Sequence, residues 1–265
     1  MTLTDDDRLA HELRGALDRH ELDVWYQPEV EVDGRKVVAL EALLRWHHAS
    51  GELYDAGRFV GVAEATGLIV PIGEWALVRA CEQAVVWRTL LGHAPPVLRV
   101  NLSEPQVAAA GLLDAALATG LAPGGLSLEL DEAALLLGMA DPVVAANLRG
   151  IHERGVALVV DRFGLGDGSL GAFDGLGGAR RLPVSALKLD RGVVARVTDD
   201  DATRRLVAAV VAAARGAGVD VIALGVEEQA QAELLTELGL TAATGYLFSE
   251  AVPAASIAEL LLITS

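Results

Sequence analysis

Two kinds of apolar pattern alternate along the chain. Short runs have the length and make-up of strands: Val37-Val38-Ala39-Leu40, Val97-Leu98-Arg99-Val100, Leu126-Ser127-Leu128, Val156 to Val160, Ala186-Leu187-Lys188-Leu189 and Val219 to Ala223. Between them, Gly73 to Leu91, Pro142 to Arg154, Ala202 to Arg215 and Glu228 to Leu238 carry apolar residues three and four apart, the spacing of one helix face. Gly216 and Gly239, just past two of these runs, predict helix ends. Strand followed by helix, repeated this often, predicts a parallel sheet with crossover helices.

Composition adds bounds to that picture. At 265 residues the chain has the size at which a single α/β barrel closes, roughly 250 residues. Hydrophobic residues make up 52% and charged residues 22%, enough to build a core and unlike a disordered chain. No linker or low-complexity block divides it, so the expected organisation is one domain over 1–265, with an N-terminal helix in 1–20 and the barrel in 21–265. The net charge of −16 removes the electropositive field that a nucleic-acid polymer requires. Cys81 stands alone, which rules out an intrachain disulfide and a thiolate zinc site. The acidic start and the shortness of the apolar runs predict neither export nor membrane insertion, and a cytoplasmic location is expected.

The choice between a closed barrel and an open doubly wound sheet turns on where polar residues fall. Glu41, Asn101, Glu129, Asp161, Lys188 and Asp190 end or interrupt strands. Inside a hydrophobic barrel such groups would be costly, but at the C-terminal rim they converge from several strands on one site. Their oxygens form a hard donor set, suited to magnesium or manganese. Any one of these carboxylates could equally cap the next helix. His47 and His48 enter a polar turn where hydrogen-bonded histidines are commoner than metal ligands, Cys81 reads as a buried small hydrophobe, and Trp46, Trp75 and Trp87 read as packing.

The chain resembles the EAL domain family, in order and over almost its whole length. The resemblance is carried by Tyr26-Gln27-Pro28, Glu41-Ala42-Leu43-Leu44-Arg45-Trp46, Ala63-Glu64-Ala65-Thr66-Gly67-Leu68-Ile69, Asn101-Leu102-Ser103, Glu129-Leu130-Asp131-Glu132, Asp161-Arg162-Phe163-Gly164, Leu187-Lys188-Leu189-Asp190-Arg191, Gly225-Val226-Glu227 and Gly245-Tyr246-Leu247-Phe248. It implies a TIM-like (β/α)8 barrel with one strand antiparallel, and two-metal hydrolysis of cyclic di-GMP to pGpG. Position by position it implies a first metal on Glu41, Asn101, Glu129 and Asp161. Lys188 and Asp190 fall at catalytic positions, and Glu132 falls at the acid that steadies a long loop. Gln27, Leu43, Arg45 and Asp190 fall at ligand positions. A homodimer is likewise an expectation of the resemblance.

Three positions depart from the family pattern. Arg162 stands where a second-metal Asp is usual, Leu224 where a second-metal Glu is usual, and Thr244 where a Gln is usual. Glu41, Glu129, Asp161 and Asp190 against Lys188 and Arg162 leave a charge that one dication balances. Exchanging Asp for Arg beside a second dication, at ~4 Å and an effective dielectric of ~20, costs on the order of 10 kcal/mol. One Mg2+ or Mn2+ with an absent second site is therefore expected, and with it little or no hydrolysis. Arg162 is expected to pair with Asp161, Asp190 or a ligand phosphate. The loop Leu165-Gly166-Asp167-Gly168-Ser169 and the longer stretch Gly171 to Arg181 also depart, as does Ser249-Glu250-Ala251. The reading that results is a degenerate EAL domain acting as a cyclic di-GMP receptor or regulatory module. The alternatives are a protein-interaction scaffold that binds no nucleotide and a slow metal-dependent phosphodiesterase.

Overall fold

A computed structural model describes residues 4–33, 36–108, 111–132, 134, 136, 140–164 and 184–264. Among these residues nine strands form one sheet: β1 (Leu22–Glu31), β2 (Val37–His47), β3 (Leu53–Asp55), β4 (Val97–Asn101), β5 (Leu126–Asp131), β6 (Ala157–Phe163), β7 (Val184–Leu189), β8 (Asp220–Ala223) and β9 (Ala242–Ala243). Their order is β1-β9-β8-β7-β6-β5-β4-β2-β3, and β1 also pairs with β2, so eight strands close into a barrel with β3 as an extra strand on β2. The barrel is mixed: β1 runs antiparallel to both neighbours, while β2 and β4 through β9 pair in parallel. This decides between the closed and the open sheet.

Helices cover the outside. They are α1 (Asp5–Leu13), α2 (Ala56–Ala65), α3 (Ile69–Leu91), α4 (Glu104–Ala108), α5 (Leu112–Ala118), α6 (Pro142–Glu153), α7 (Arg191–Val194), α8 (Asp201–Ala217), α9 (Gln229–Glu237) and α10 (Ala254–Thr264). The two-residue period of each strand sorts its side chains. Leu98, Val100, Leu126, Leu128, Leu158, Val160, Leu187 and Leu189 face the helices and join the main core. Val159, Ala186, Ile222 and Ala242 form a separate small cluster on the opposite face, inside the barrel. Further along that inner face the apolar residues give way to charged ones.

Local sequence signals explain most element ends. Asp141 caps α6, accepting from the backbone N–H of Val143 at 2.7 Å, and Pro142 fits the first helical position, where no N–H is needed. Leu238 caps α9, and Gly239 follows with φ +90°, as expected. The expected stop at Gly216 is corrected: α8 continues to Ala217 and ends at Gly218, whose φ of +71° supplies the left-handed cap. The predicted start of α3 at Gly73 moves back to Ile69, because Pro71 lies in the first turn and costs no intrahelical bond. Cys81, Trp46 and Trp87 are buried, as read from the sequence. His48 bonds Ser50 at 2.8 Å and Glu12 at 3.1 Å, joining α1 to the end of β2. The departures at Leu165 to Ser169 and Gly171 to Arg181 lie outside the described residues.

Candidate active site

Lys188 is the centre of the charged layer. On the inner face of β7, and with no exposed side-chain surface, it places Nζ 2.6 Å from Glu41 Oε2 on β2 and 2.5 Å from Glu129 Oε1 on β5. The Glu41 contact is a hydrogen bond, whereas the Glu129 contact is an ion pair without hydrogen-bond alignment. Asn101, at the end of β4, donates Nδ2 to Glu41 Oε1 at 3.0 Å. The parallel register sets Asn101 beside Glu129 and Asp131 beside Asp161, and the contacts above gather Lys188, Glu41, Glu129 and Asn101 from four strands.

A cleft of about 350 Å³ opens above this layer. Glu41, Leu43, Asn101, Glu129, Asp161 and Arg162 line it together with an apolar wall from α2 and α3. All four expected first-metal residues thus share one cleft, and Lys188 lies beneath them. Gln27, Arg45 and Asp190 are outside its wall. Gln27 donates Nε2 to the Ser249 carbonyl at 3.0 Å, tying β1 to the segment after β9. Arg45 shares the face of β2 that carries Glu41 and Leu43, and its guanidinium lies 5.5 Å from the centroid of the Trp25 ring. Asp190 is buried and caps α7, with Oδ1 accepting from Gly192 N at 2.6 Å, so a cap is one of its roles. Glu132 is half-buried, with Oε1 withdrawn from solvent.

Burial shapes the ionisation of this layer. It pushes the Glu129 carboxyl up to about 8, reinforced by the Glu41 charge and opposed by Lys188. Burial acts on Glu41 in the same sense, but the Lys188 ammonium and the Asn101 hydrogen bond outweigh it and hold Glu41 below its usual range. Burial also raises Asp161, against the pull of Lys188. Burial alone would discharge Lys188, yet Glu129 and Glu41 raise its pKa and keep the ammonium. As chemistry, the oxygens of Glu41, Asn101, Glu129 and Asp161 fit a hard divalent cation, and Glu129 Oε2 is buried with no hydrogen-bond partner among the described residues. Among those residues no three His, Cys, Asp or Glu side chains are already gathered as a chelate. Lys188 holds two of the carboxylates in this conformation, so a cation would have to take over as their partner.

Three positions set the rim. Arg162 contacts Asp131 Oδ2 at 3.5 Å and Asp161 Oδ2 at 3.6 Å, with 64% of its side chain exposed. Its expected pairing with Asp161 is present. Its exposure, however, brings the local dielectric nearer that of water and scales down the repulsion of a second dication several-fold from the ~10 kcal/mol figure. Its φ of +53° is left-handed, an uncommon conformation for a residue with a side chain. Leu224 follows β8, half-buried, and Thr244 follows β9, buried. The two loops interlock at glycines. A Cβ on Gly245 would meet Val226 O at 2.1 Å, and a Cβ on Gly225 would meet Arg191 Cβ at 2.8 Å.

The EAL domain family profile matches residues 10–251. The chain belongs to the EAL domain family. Its sequence is 39% identical over 251 residues to the bifunctional diguanylate cyclase/cyclic di-GMP phosphodiesterase MucR of Pseudomonas aeruginosa, covering 93% of this chain and 35% of that protein. It is 34% identical over 262 residues to the cyclic di-GMP phosphodiesterase NbdA of the same organism, covering 97% of this chain and 32% of that protein. This EAL chain therefore spans about a third of the length of those curated relatives. The PaMucR phosphodiesterase in its c-di-GMP complex superposes with a TM-score of 0.84 at 39% identity, covering 94% of this chain and 99% of that one. The EAL enzyme Bd1971, bound to cAMP and cyclic di-GMP, gives 0.88 at 25% identity, covering 97% and 69%. The TIM-like EAL barrel with one reversed strand is thus the fold. No described helix is long and apolar enough to cross a membrane.

Four charged residues of the EAL cleft and its floor were not named as site residues from the sequence: Glu29, Glu64, Arg99 and Asp131. Arg99 carried a signal, since it is a charge inside the run Val97-Leu98-Arg99-Val100, on the same strand face as Asn101. Its partner Glu29 lies 70 positions away and could not be matched to it from spacing.

Proposed function

We propose that this chain is a cyclic di-GMP receptor or regulatory module with weak or no phosphodiesterase activity. The observation that carries the reading is the Arg162 guanidinium bridging Asp161 and Asp131 at 3.6 and 3.5 Å across the cleft mouth. A cation placed there offers a forked donor to a phosphate while opposing a second metal ion. The cyclic di-GMP ligand is supported by the names of the similar MucR and NbdA proteins and by the nucleotide in the PaMucR complex.

In this reading Glu41, Asn101, Glu129 and Asp161 hold one Mg2+ or Mn2+, which supplies Lewis-acid stabilisation of charge on a phosphodiester. EAL phosphodiesterases are in general metal-dependent. Lys188 lies beneath Glu41 and Glu129, holds Glu41 charged and opposes the effect of burial on Glu129. Leu43 lines the cleft, and Gln27 and Arg45 extend the ligand side of the groove beyond its wall, with Arg45 meeting a phosphate. Leu224 and Thr244 bring no carboxylate to the opposite rim, and Glu132 steadies the loop that follows β5. Residual slow hydrolysis is the second reading, favoured by the intact grouping of Glu41, Lys188 and Glu129. The scaffold that binds no nucleotide, a protein partner, a homodimer, a cytoplasmic location and a single domain over the whole chain remain expectations of the sequence.

Anomalous scattering from crystals grown with Mn2+ and cyclic di-GMP tests the metal count. One manganese peak beside Glu41 and Glu129 is expected. Two peaks, with Arg162 swung away, would overturn the one-metal reading.

A further inference from the structure

Beneath the cleft lies a second buried ion pair, outside the group that Lys188 gathers. Glu29 on β1 is 1% exposed, and its Oε1 accepts a hydrogen bond from Arg99 Nη2 of β4 at 2.7 Å, across the intervening strand β2. The pairing register of β1 with β2 shifts between Glu29 and Val30, an irregularity of the kind that re-aims a strand's side chains. Arg99 does not end at Glu29. Its Nε lies 3.9 Å from Glu129 Oε1, the same oxygen that Lys188 Nζ approaches to 2.5 Å.

Two buried cations therefore converge on one oxygen of Glu129. The other oxygen, Oε2, is buried without a hydrogen-bond partner among the described residues, and Glu129 lines the cleft. A carboxylate in a barrel could rotate about its terminal torsion, since that torsion is broad and roughly two-fold. Cations on Oε1 remove that freedom. Glu29 in turn keeps the guanidinium low in the barrel: without a carboxylate behind it, Arg99 could close fully onto Glu129 and compete with whatever the cleft binds.

We propose that Arg99, anchored by Glu29, is a positioning residue that fixes the Glu129 carboxylate with Oε1 toward the barrel floor and Oε2 toward the cleft. The inference rests on the reading above that Glu129 holds a divalent cation. Arg99 acts as an outer-shell partner, one layer removed from the ion, and such partners typically set metal affinity within a factor of 10 to 100.

The test replaces the pair without leaving a lone buried charge. Glu29→Met with Arg99→Met substitutes apolar side chains of similar length, and Arg99→Lys, which keeps the charge beside Glu29 but loses the Nε that reaches Glu129, serves if the double variant does not fold. Mn2+ affinity of the purified chain is read by electron paramagnetic resonance of the free ion, without substrate. About tenfold weaker binding is expected in either variant, together with a turned Glu129 carboxylate in a crystal structure. Unchanged affinity with Glu129 in place would reduce the pair to a structural role and overturn the proposal. If the unaltered chain binds no Mn2+, the one-metal reading fails instead, and the orientation of Glu129 in the variant crystal still decides this inference.

Discussion

Lys188 and Glu129 are both fully buried, and their charged atoms stand 2.5 Å apart inside the barrel. Neither can be removed without consequence, because the survivor would be a desolvated charge. Lys188→Met removes the ammonium that both Glu41 and Glu129 contact and leaves Arg99, 3.9 Å from Glu129, as the cation near them. A loss of about 3–5 kcal/mol in unfolding free energy is expected. Added Mn2+ should recover more stability in this variant than in the unaltered chain, since the ion takes the place of the ammonium. Chemical denaturation with and without the metal measures both effects, and equal stability of the two proteins would contradict this account.

Arg45 is expected to act on the ligand and hardly at all on the fold. Its guanidinium neighbours the Trp25 ring and donates Nη1 to the Leu44 carbonyl at 3.0 Å, and among the described residues no short ion pair holds it. Arg45→Ala removes a charge-assisted contact worth about 1.5–3 kcal/mol, roughly 10–100-fold in cyclic di-GMP affinity. Equilibrium binding at two salt concentrations checks this. Undiminished affinity would take Arg45 out of the groove.

The rim substitutions should act as a set. Arg162→Asp with Leu224→Glu returns carboxylates to both departing positions and is expected to give Mn2+-dependent formation of pGpG, orders of magnitude faster than the unaltered chain, since each ~1.4 kcal/mol is tenfold in rate. A time course by chromatography reads the outcome. No gain would shift the blame to Thr244 or to the loop beyond Gly164.

A pH effect is expected at the start of β1. Arg19 hydrogen-bonds Glu21 at 2.7 Å, and Glu21 also accepts from Trp46 Nε1 at 3.1 Å. The Arg19 hydrogen bond, with help from Trp46, pulls Glu21 down to about 2 against the effect of burial. A carboxylate depressed in the folded state stabilises above its unfolded pKa of about 4.3, and that contribution fades as pH falls toward 2. Glu21→Gln should lower stability at pH 7 and flatten its fall between pH 5 and pH 2. Identical pH profiles of thermal unfolding would show that the contact contributes nothing.

How far the sequence could be read depends on how local each signal is. The strand runs at Val97, Leu126 and Val156 announced themselves through composition, and Pro142 and Gly239 through backbone chemistry that acts within a turn. Glu41, Asn101, Glu129, Asp161 and Lys188 could be named because motifs of the EAL family carry them, and the first four line one cleft with Lys188 buried against two of them. The Glu29–Arg99 pair was not legible, because its two members sit on β1 and β4, which flank β2, and the pairing of both strands with β2 cannot be read from spacing. Arg162 was read as a cation near Asp161, but its second partner, Asp131, follows from the register between β5 and β6. The end of α8 was misplaced by two residues because Gly216 and Gly218 are equally plausible stops by composition, and only Gly218 takes the left-handed conformation.

The central claim is that the cleft holds cyclic di-GMP and leaves it largely intact. Isothermal titration of the purified chain with cyclic di-GMP, with and without Mn2+, followed by chromatography of the recovered nucleotide, tests it most directly. The account predicts saturable heat and recovery of the cyclic dinucleotide. Recovery of pGpG within the titration would contradict it, and so would the lack of binding under every condition in both calorimetry and an orthogonal assay.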